Sequence, residues 1–501
     1  MHAYATDTHV EVTTAAGRVR GAWRADAAGN RSAAFLGIPF AEPPVGELRF
    51  AAPVPHRPWD GVRDALEYGA TPQRGDDAGI TLIPEPSVPG ASTLNVNVFT
   101  PAPGPASASD AALPVLVYIH GGGYVSGSPA SPWYDGAAFN RDGVVTVSVS
   151  YRLGFEGFGW IADAPLNRGV LDWILALEWV RDNIAAFGGD PARVTIAGQS
   201  AGAGAVLTLL GTPRAQQLFE AVYSISAVAV DIGRDRAEGF ARRLAAAGGI
   251  EPTRAGFGSL SEERVLELQR EVASERRGRP LDAVRGFLDD GLTLAPVTDG
   301  ELLPAGTIEA IRSGIGADKR LVLGATDDEF SMILDGVKRR LGFVPTRLLL
   351  GRLGLRGRAR SEYLRANREV RSRGAAAMVG RFLTDRMFRT VALRIALARR
   401  SAPTWLYRFS WVSPPRGFAL HCLDVPFFFD CLHAERVDAI AGDAPPQALA
   451  DEVHAGAVAF VATGDPGWPR FTDAARTTRV YDTPTSVADD GYASVRPLLA
   501  N

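Results

Sequence analysis

The sequence predicts an α/β protein built on a large, mostly parallel sheet, and three observations predict it. Short runs that are apolar almost throughout recur at Pro114 to His120, Val144 to Ser150, Ala221 to Ser226, Leu321 to Gly324 and Thr404 to Phe409. Such runs belong to parallel strands covered on both faces. Between two of them Trp173, Leu177, Val180 and Ile184 recur at helical spacing, as in a crossover helix laid on a sheet. A further short strand, Val194-Thr195-Ile196-Ala197, runs into Gly198-Gln199-Ser200-Ala201-Gly202 and then into a small-residue, apolar segment ending at Leu210. Strand, tight turn and close-packed helix, in that order, present a serine hydroxyl.

Composition bounds the rest. A chain of 501 residues with 46% hydrophobic and 22% charged residues can bury a large core, and one or two domains are expected. The net charge of −3 argues against nucleic acid as a partner, because phosphate binding needs a broad basic surface. Met1 to Arg20 has no apolar core of signal-peptide length, and no run of about 18 apolar residues occurs, so a cytoplasmic protein without a membrane span is expected. Cys422 and Cys431 are the only cysteines, too few for a secreted disulfide framework. Lys319 and Lys338 are the only lysines, and this arginine bias with heavy alanine use points to a GC-rich bacterial genome.

Pro101 to Ala112, rich in Pro, Ala, Ser and Asp, reads as a surface loop. Two helix-rich stretches, 234–288 and 331–398, interrupt the strand pattern. They are expected to form cap insertions over the C-terminal edge of the sheet, within one catalytic domain spanning 1–501. The second contains a basic run, Lys338 to Arg373, which reads first as a solvated helical face and second as a site for an acidic partner or a membrane surface.

Ser200 becomes a nucleophile only if a base takes its proton and donors meet the oxyanion that forms. His120-Gly121-Gly122-Gly123-Tyr124, directly after a strand, suits the second role, since glycines let backbone N–H groups approach a substrate. The N–H of Ala201 would join them. With the chain order serine, acid, histidine, the candidate bases are His421, His433 and His454. The last two fall in segments that read as helices; His421 falls in a loop after a strand and is the expected base. The acid is expected just past a strand, where Asp327, Asp328 and Glu329 all qualify. A charge at a helix N-terminus is the competing reading for Asp327 and Asp328.

Together these residues resemble the type-B carboxylesterase and cholinesterase family of α/β-hydrolases. Phe35 to Gly46 with Leu48-Arg49-Phe50 is similar to its N-terminal signature, and Tyr151 to Gly154 and Phe187 to Gly202 are similar to two more. Thr463 to Pro466 with Trp468-Pro469 resembles its closing signature. The resemblance implies an α/β-hydrolase fold and hydrolysis of a small-molecule carboxylic ester, without cofactor or metal, by a monomer or small homo-oligomer. It also implies that the acid is Glu329, five residues after Gly324. It maps the oxyanion donors onto Gly122, Gly123 and Ala201, and a supporting acid onto Asp424.

Departures matter as well. Where the family has Ser-Glu-Asp-Cys this chain has Gly90-Ala91-Ser92-Thr93, which removes a disulfide loop, and Arg74 to Pro89 contains no tryptophan to face a quaternary ammonium. A choline ester is therefore not the expected substrate. Ser150, Trp173 and Cys422 replace an asparagine, a glutamine and a glycine, and Ser224-Ile225-Ser226 replaces Gln-Ser-Gly, leaving the identity of a supporting serine open. The alternatives to a serine esterase are a non-catalytic binding module of the same fold and a lipase, lactonase or amidase using the same chemistry. Tyr124, Trp160, Phe330 and Phe427 are candidates for pocket walls, with core packing as the equal alternative.

Overall fold

The computed structural model describes residues 8–25, 28–72, 82–105, 112–228, 231–274, 285–286, 288, 291–334, 336 and 338–499. Its strands are β1 (His9–Thr14), β2 (Gly17–Ala25), β3 (Arg31–Pro39), β4 (Val62–Asp64), β5 (Asn95–Thr100), β6 (Leu113–Ile119), β7 (Val145–Val149) and β8 (Gly189–Gln199). They continue with β9 (Ala221–Ile225), β10 (Ile232–Gly233), β11 (Val297–Thr298), β12 (Arg320–Thr326), β13 (Thr404–Phe409), β14 (Thr478–Tyr481) and β15 (Ser486–Ala488). All but β10 and β11 join one sheet, in the order β1-β2-β3-β5-β7-β6-β8-β9-β12-β13-β14-β15, with β4 on β2. The run from β7 to β14 is parallel throughout.

The apolar runs become central strands because both faces of the sheet are covered. Val115, Val117 and Ile119 of β6 enter one buried cluster, and Leu116 and Tyr118 enter the cluster on the opposite side. In β12 the same alternation divides Leu321 and Leu323 from Val322. A residue period of two thus serves two cores at once. The crossover helix, Arg168–Asn183, buries Trp173, Leu177 and Val180, and Ile184 follows in a short 3-10 turn. This is the expected α/β-hydrolase arrangement.

Several expectations change. β8 is longer than Val194 to Ala197, and the antiparallel pair β1 and β2 had no apolar run to announce it. β1 exposes alternate residues along His-Val-Glu-Val-Thr-Thr, so its sequence is half polar. His433 lies in turns before the Asp438–Ala441 helix, not in a helix, whereas His454 lies within the Gln447–Thr463 helix. Residues 74–81 and 106–111 of the two loops read from the sequence lie outside the described residues.

The described part of the first helix-rich stretch holds helices at Arg234–Gly248, Arg254–Gly258 and Glu262–Ser274; most of 275–288 lies outside it. In the second stretch the Ala375–Thr384 helix packs on the 3-10 turn Ser331–Leu334, just beyond the C-terminal end of β12. The Thr390–Ala398 helix packs on β12 and β13. Among the described residues no helix is long and apolar enough to cross a membrane, and no cluster of His, Cys, Asp or Glu could hold a metal ion. Both cysteines are free thiols.

Candidate active site

Parallel strands bring the loops after β6, β8, β12 and β13 to one edge of the sheet. These loops carry His120 to Tyr124, Ser200, Glu329 and His421. Ser200 turns the chain from β8 into the Ala201–Leu210 helix with φ 58° and ψ −119°, a backbone state that costs a non-glycine residue about 1–3 kcal/mol. The turn is held because Ser200 N–H donates to the Ile225 carbonyl at 2.9 Å and the Ser200 carbonyl accepts from Gly204 N–H at 3.0 Å. A methyl group at Gly202 would overlap the carbonyl oxygen of Ile119, and one at Gly198 would overlap the backbone of Gly202. The motif's two glycines are therefore required by close backbone approach.

The glycine loop after β6 is equally constrained. Gly122 and Gly123 have φ of 104° and 63°, and Tyr124 shares the left-handed region at 62°. The Gly122 carbonyl accepts from Val125 N–H at 3.1 Å and from both Ser126 N–H and Ser126 Oγ at 3.0 Å. Gly154 N–H donates to the Tyr124 carbonyl at 2.7 Å. While the Gly122 and Tyr124 carbonyls are engaged, the N–H groups of Gly122 and Gly123, like that of Ala201, have no hydrogen-bond partner among the described residues. A cavity of about 250 Å³ borders this loop at Val125 and Ser126 and is walled further by Arg49, Leu153 and Phe155. Ser200 and His421 do not line it.

The loops carrying Glu329 and His421 are bonded to each other along their length. Asp327 N–H donates to Phe409 at 3.0 Å, Asp328 N–H to Ala419 at 2.9 Å, and His421 N–H to the Glu329 carbonyl at 2.9 Å. The side chains complete this pairing: His421 Nδ1 lies 2.5 Å from Glu329 Oε2, and Glu329 Oε1 accepts from Thr326 N–H at 2.8 Å. Both residues are buried. Phe330 and Phe388 flank the imidazole at 5.0 and 5.1 Å between ring centroids.

The three carboxylates left open by the sequence separate cleanly. Asp327 meets Arg408 at 2.8 Å, with Arg381 and Arg389 nearby, and Asp328 meets Arg381 at 3.2 Å. Burial alone would push Asp327 up, but the guanidiniums of Arg408, Arg381 and Arg389 outweigh it and hold the carboxyl well below its usual range. Neither aspartate is a helix-end charge, and Glu329 alone reaches the imidazole.

Asp424 lies beside this pair, accepting from Tyr407 Oη at 3.0 Å through Oδ2, while its buried Oδ1 has no hydrogen-bond partner among the described residues. Burial first, and then the Glu329 charge, push its pKa up to about 7. Burial likewise lowers His120 to about 4, so that this histidine is neutral and its Nδ1 lies 2.9 Å from the Gly121 carbonyl. Ser226 is buried with φ 56° and an unpartnered Oγ among the described residues.

One contact expected of a nucleophile and its base is not made. Ser200 Oγ forms no hydrogen bond among the described residues; the amide Nε2 of Gln199 instead donates to His421 Nε2 at 3.1 Å and to Cys422 Sγ at 3.3 Å. Sequence reasoning passed over Gln199, although its place immediately before the serine was the signal. It also missed Phe388. Of the proposed pocket aromatics, Phe330 faces the imidazole, Tyr124 packs with Phe158 and Trp173, Phe427 packs with Phe409 and Trp411, and Trp160 borders a separate surface cavity.

A family profile described as the carboxylesterase family matches residues 7–489. The chain is similar to the para-nitrobenzyl esterase of Bacillus subtilis strain 168, at 31% identity over 98% of this chain and 99% of that protein. It is similar to the phenmedipham hydrolase of Pseudarthrobacter oxydans, at 33% identity over 93% of each. Among solved structures, a carboxylesterase of Geobacillus stearothermophilus superposes with a TM-score of 0.81 at 32% identity, covering 97% of this chain and 99% of that one.

Proposed function

This chain belongs to the carboxylesterase family and is a serine carboxylic ester hydrolase, and from that premise we propose that Ser200, His421 and Glu329 perform the reaction. The observation that carries the assignment is the buried 2.5 Å contact of His421 Nδ1 with Glu329 Oε2, beside a serine held on a strained turn. A carboxylate at Nδ1 keeps the proton there, leaves a lone pair on Nε2 and stabilises the imidazolium once it forms. Attack then requires Nε2 to exchange the Gln199 amide for the Ser200 hydroxyl. As Oγ adds to the ester carbonyl, His421 takes its proton and the oxyanion accepts from the N–H groups of Gly122, Gly123 and Ala201. Each such donor is worth about 10²–10³ in rate. Collapse expels the alcohol with the proton from His421, and water, deprotonated by the same histidine, releases the acid. Asp424 supports the base loop through Tyr407.

We read the substrate as a small ester of an aromatic alcohol, since one relative is named for para-nitrobenzyl esters. The reading extends to one catalytic domain over 1–501 with cap insertions at 234–288 and 331–398, in a cytoplasmic bacterial protein acting without nucleic acid as a monomer or small homo-oligomer. Stopped-flow mixing with p-nitrophenyl acetate is the test. A burst of p-nitrophenol is expected from the wild type and none from Ser200→Ala; a burst that survives the substitution would remove Ser200 from the mechanism. Comparing p-nitrobenzyl with ethyl esters of one acid checks the alcohol preference, and equal kcat/KM for both would refute it.

A further inference from the structure

The second helix-rich stretch carries a surface for which ester cleavage has no use. Positions 338 to 373 hold twelve basic residues against two acidic ones, Glu362 and Glu369, in a chain whose net charge is −3. Beneath them the helices have a core of their own, in which Leu349, Leu350, Tyr363, Leu364 and Met378 bury one another. Folding of the stretch therefore does not depend on its polar faces. Arg358 pairs with Glu362 at 2.6 Å and Arg373 reaches Asp328 at 3.6 Å. Arg347, Arg352, Arg356, Arg365, Arg368 and Arg371 are exposed, and none has a carboxylate partner among the described residues.

Apolar side chains stand out on the same elements. Phe343 is 90% exposed, Ile333 52% and Leu348 49%. They lie on or between three short helices, Ser331–Leu334, Lys338–Leu341 and Thr346–Arg352, all of which pack on the Ala375–Thr384 helix. Single exposed apolar residues need no explanation. Three of them on elements that share one supporting helix, one a phenylalanine left almost wholly in water, and followed along the chain by exposed arginines without carboxylate partners, have the composition of a surface that enters a lipid headgroup layer.

We infer that this stretch, with Phe343 its most exposed apolar side chain, docks on an anionic lipid surface. Guanidiniums would take the lipid phosphates while Phe343, Leu348 and Ile333 enter the apolar boundary beneath them. Charge complementarity selects this partner. A nucleic acid offers the anions without an apolar layer, and a second copy of this chain would set one positive surface against another. Each arginine held near an anionic bilayer changes partitioning about fivefold.

Sedimentation of the full chain with phosphatidylglycerol–phosphatidylcholine vesicles, against vesicles of phosphatidylcholine alone, tests the assignment. Binding is expected only to the anionic vesicles and is expected to be reversed by salt. The triple variant Arg352→Gln, Arg356→Gln, Arg365→Gln should bind about 10²-fold more weakly, and Phe343→Ser about tenfold more weakly. Unchanged melting temperatures would show that both variants fold. No binding by the wild type, equal binding to both vesicles, or full binding by the triple variant would overturn the proposal. So would duplex DNA binding as tight as that to vesicles and indifferent to Phe343→Ser, or a dimer dissolved by Phe343→Ser in the absence of lipid.

Discussion

At His421 the two ring nitrogens have different partners. Nδ1 faces Glu329 at 2.5 Å, and Nε2 accepts from the neutral Gln199 amide at 3.1 Å. In the proposed mechanism Nε2 must leave this amide to take the Ser200 proton. Gln199→Leu, which keeps the bulk and removes the donor, is therefore expected to raise kcat/KM about fivefold, the worth of a hydrogen bond of about 1 kcal/mol. An unchanged or lower kcat/KM would mean that the Gln199 amide does not compete for Nε2. Ser200 was legible in the sequence through its glycines, and His421 through its loop and the order of the chain. Gln199 was not, because its contact with His421 spans 222 positions and depends on how two loops meet.

The strand–turn–helix element tolerates no Cβ at its second glycine. The group a methyl at Gly202 would strike is the Ile119 carbonyl, a backbone atom in the middle of the parallel sheet that cannot rotate aside. Gly202→Ala is expected to destabilise the fold by about 1–3 kcal/mol. It should also move the Ala201 N–H that begins the helix, lowering kcat by about 10² or more. Calorimetry and steady-state rates check the two effects, and an unaltered melting temperature would contradict the argument from close approach. The central strands could be read in advance because burial on both faces leaves an apolar run. β1 and β2 could not, since an antiparallel edge exposed on one side alternates polar and apolar residues as many loops do.

Across the whole molecule, a buried carboxyl makes stability depend on pH. The ordinary value for Asp424 is 3.8, and burial with the Glu329 charge raises it to about 7 in the folded state. Between those values the folded protein holds a proton that the unfolded chain has released. Stability is therefore greatest at the acid end of this window and falls as pH rises through about 7, by on the order of a few kcal/mol. Asp424→Asn removes that slope: the difference in melting temperature between variant and wild type should shift in favour of the variant as pH rises. A difference that is constant across the window would show that Asp424 does not titrate as assigned.

Local order along the chain determined the class of sheet, the turn at Ser200, the glycine loop at Gly122 and Gly123 and the loop that carries His421. Each is written in neighbouring residues, through apolar runs that must be covered and glycines that must allow close approach. Residue types alone could not choose among Asp327, Asp328 and Glu329, because all three are carboxylates beyond the same strand, and the family resemblance supplied the choice. In the fold, the physical reason lies in Arg381 and Arg408, 53 and 81 positions from the aspartates they neutralise, together with an imidazole 92 positions from Glu329. Only tertiary structure brings those charges together, and once Asp327 and Asp328 are held by guanidiniums the carboxylate that remains to orient His421 is Glu329.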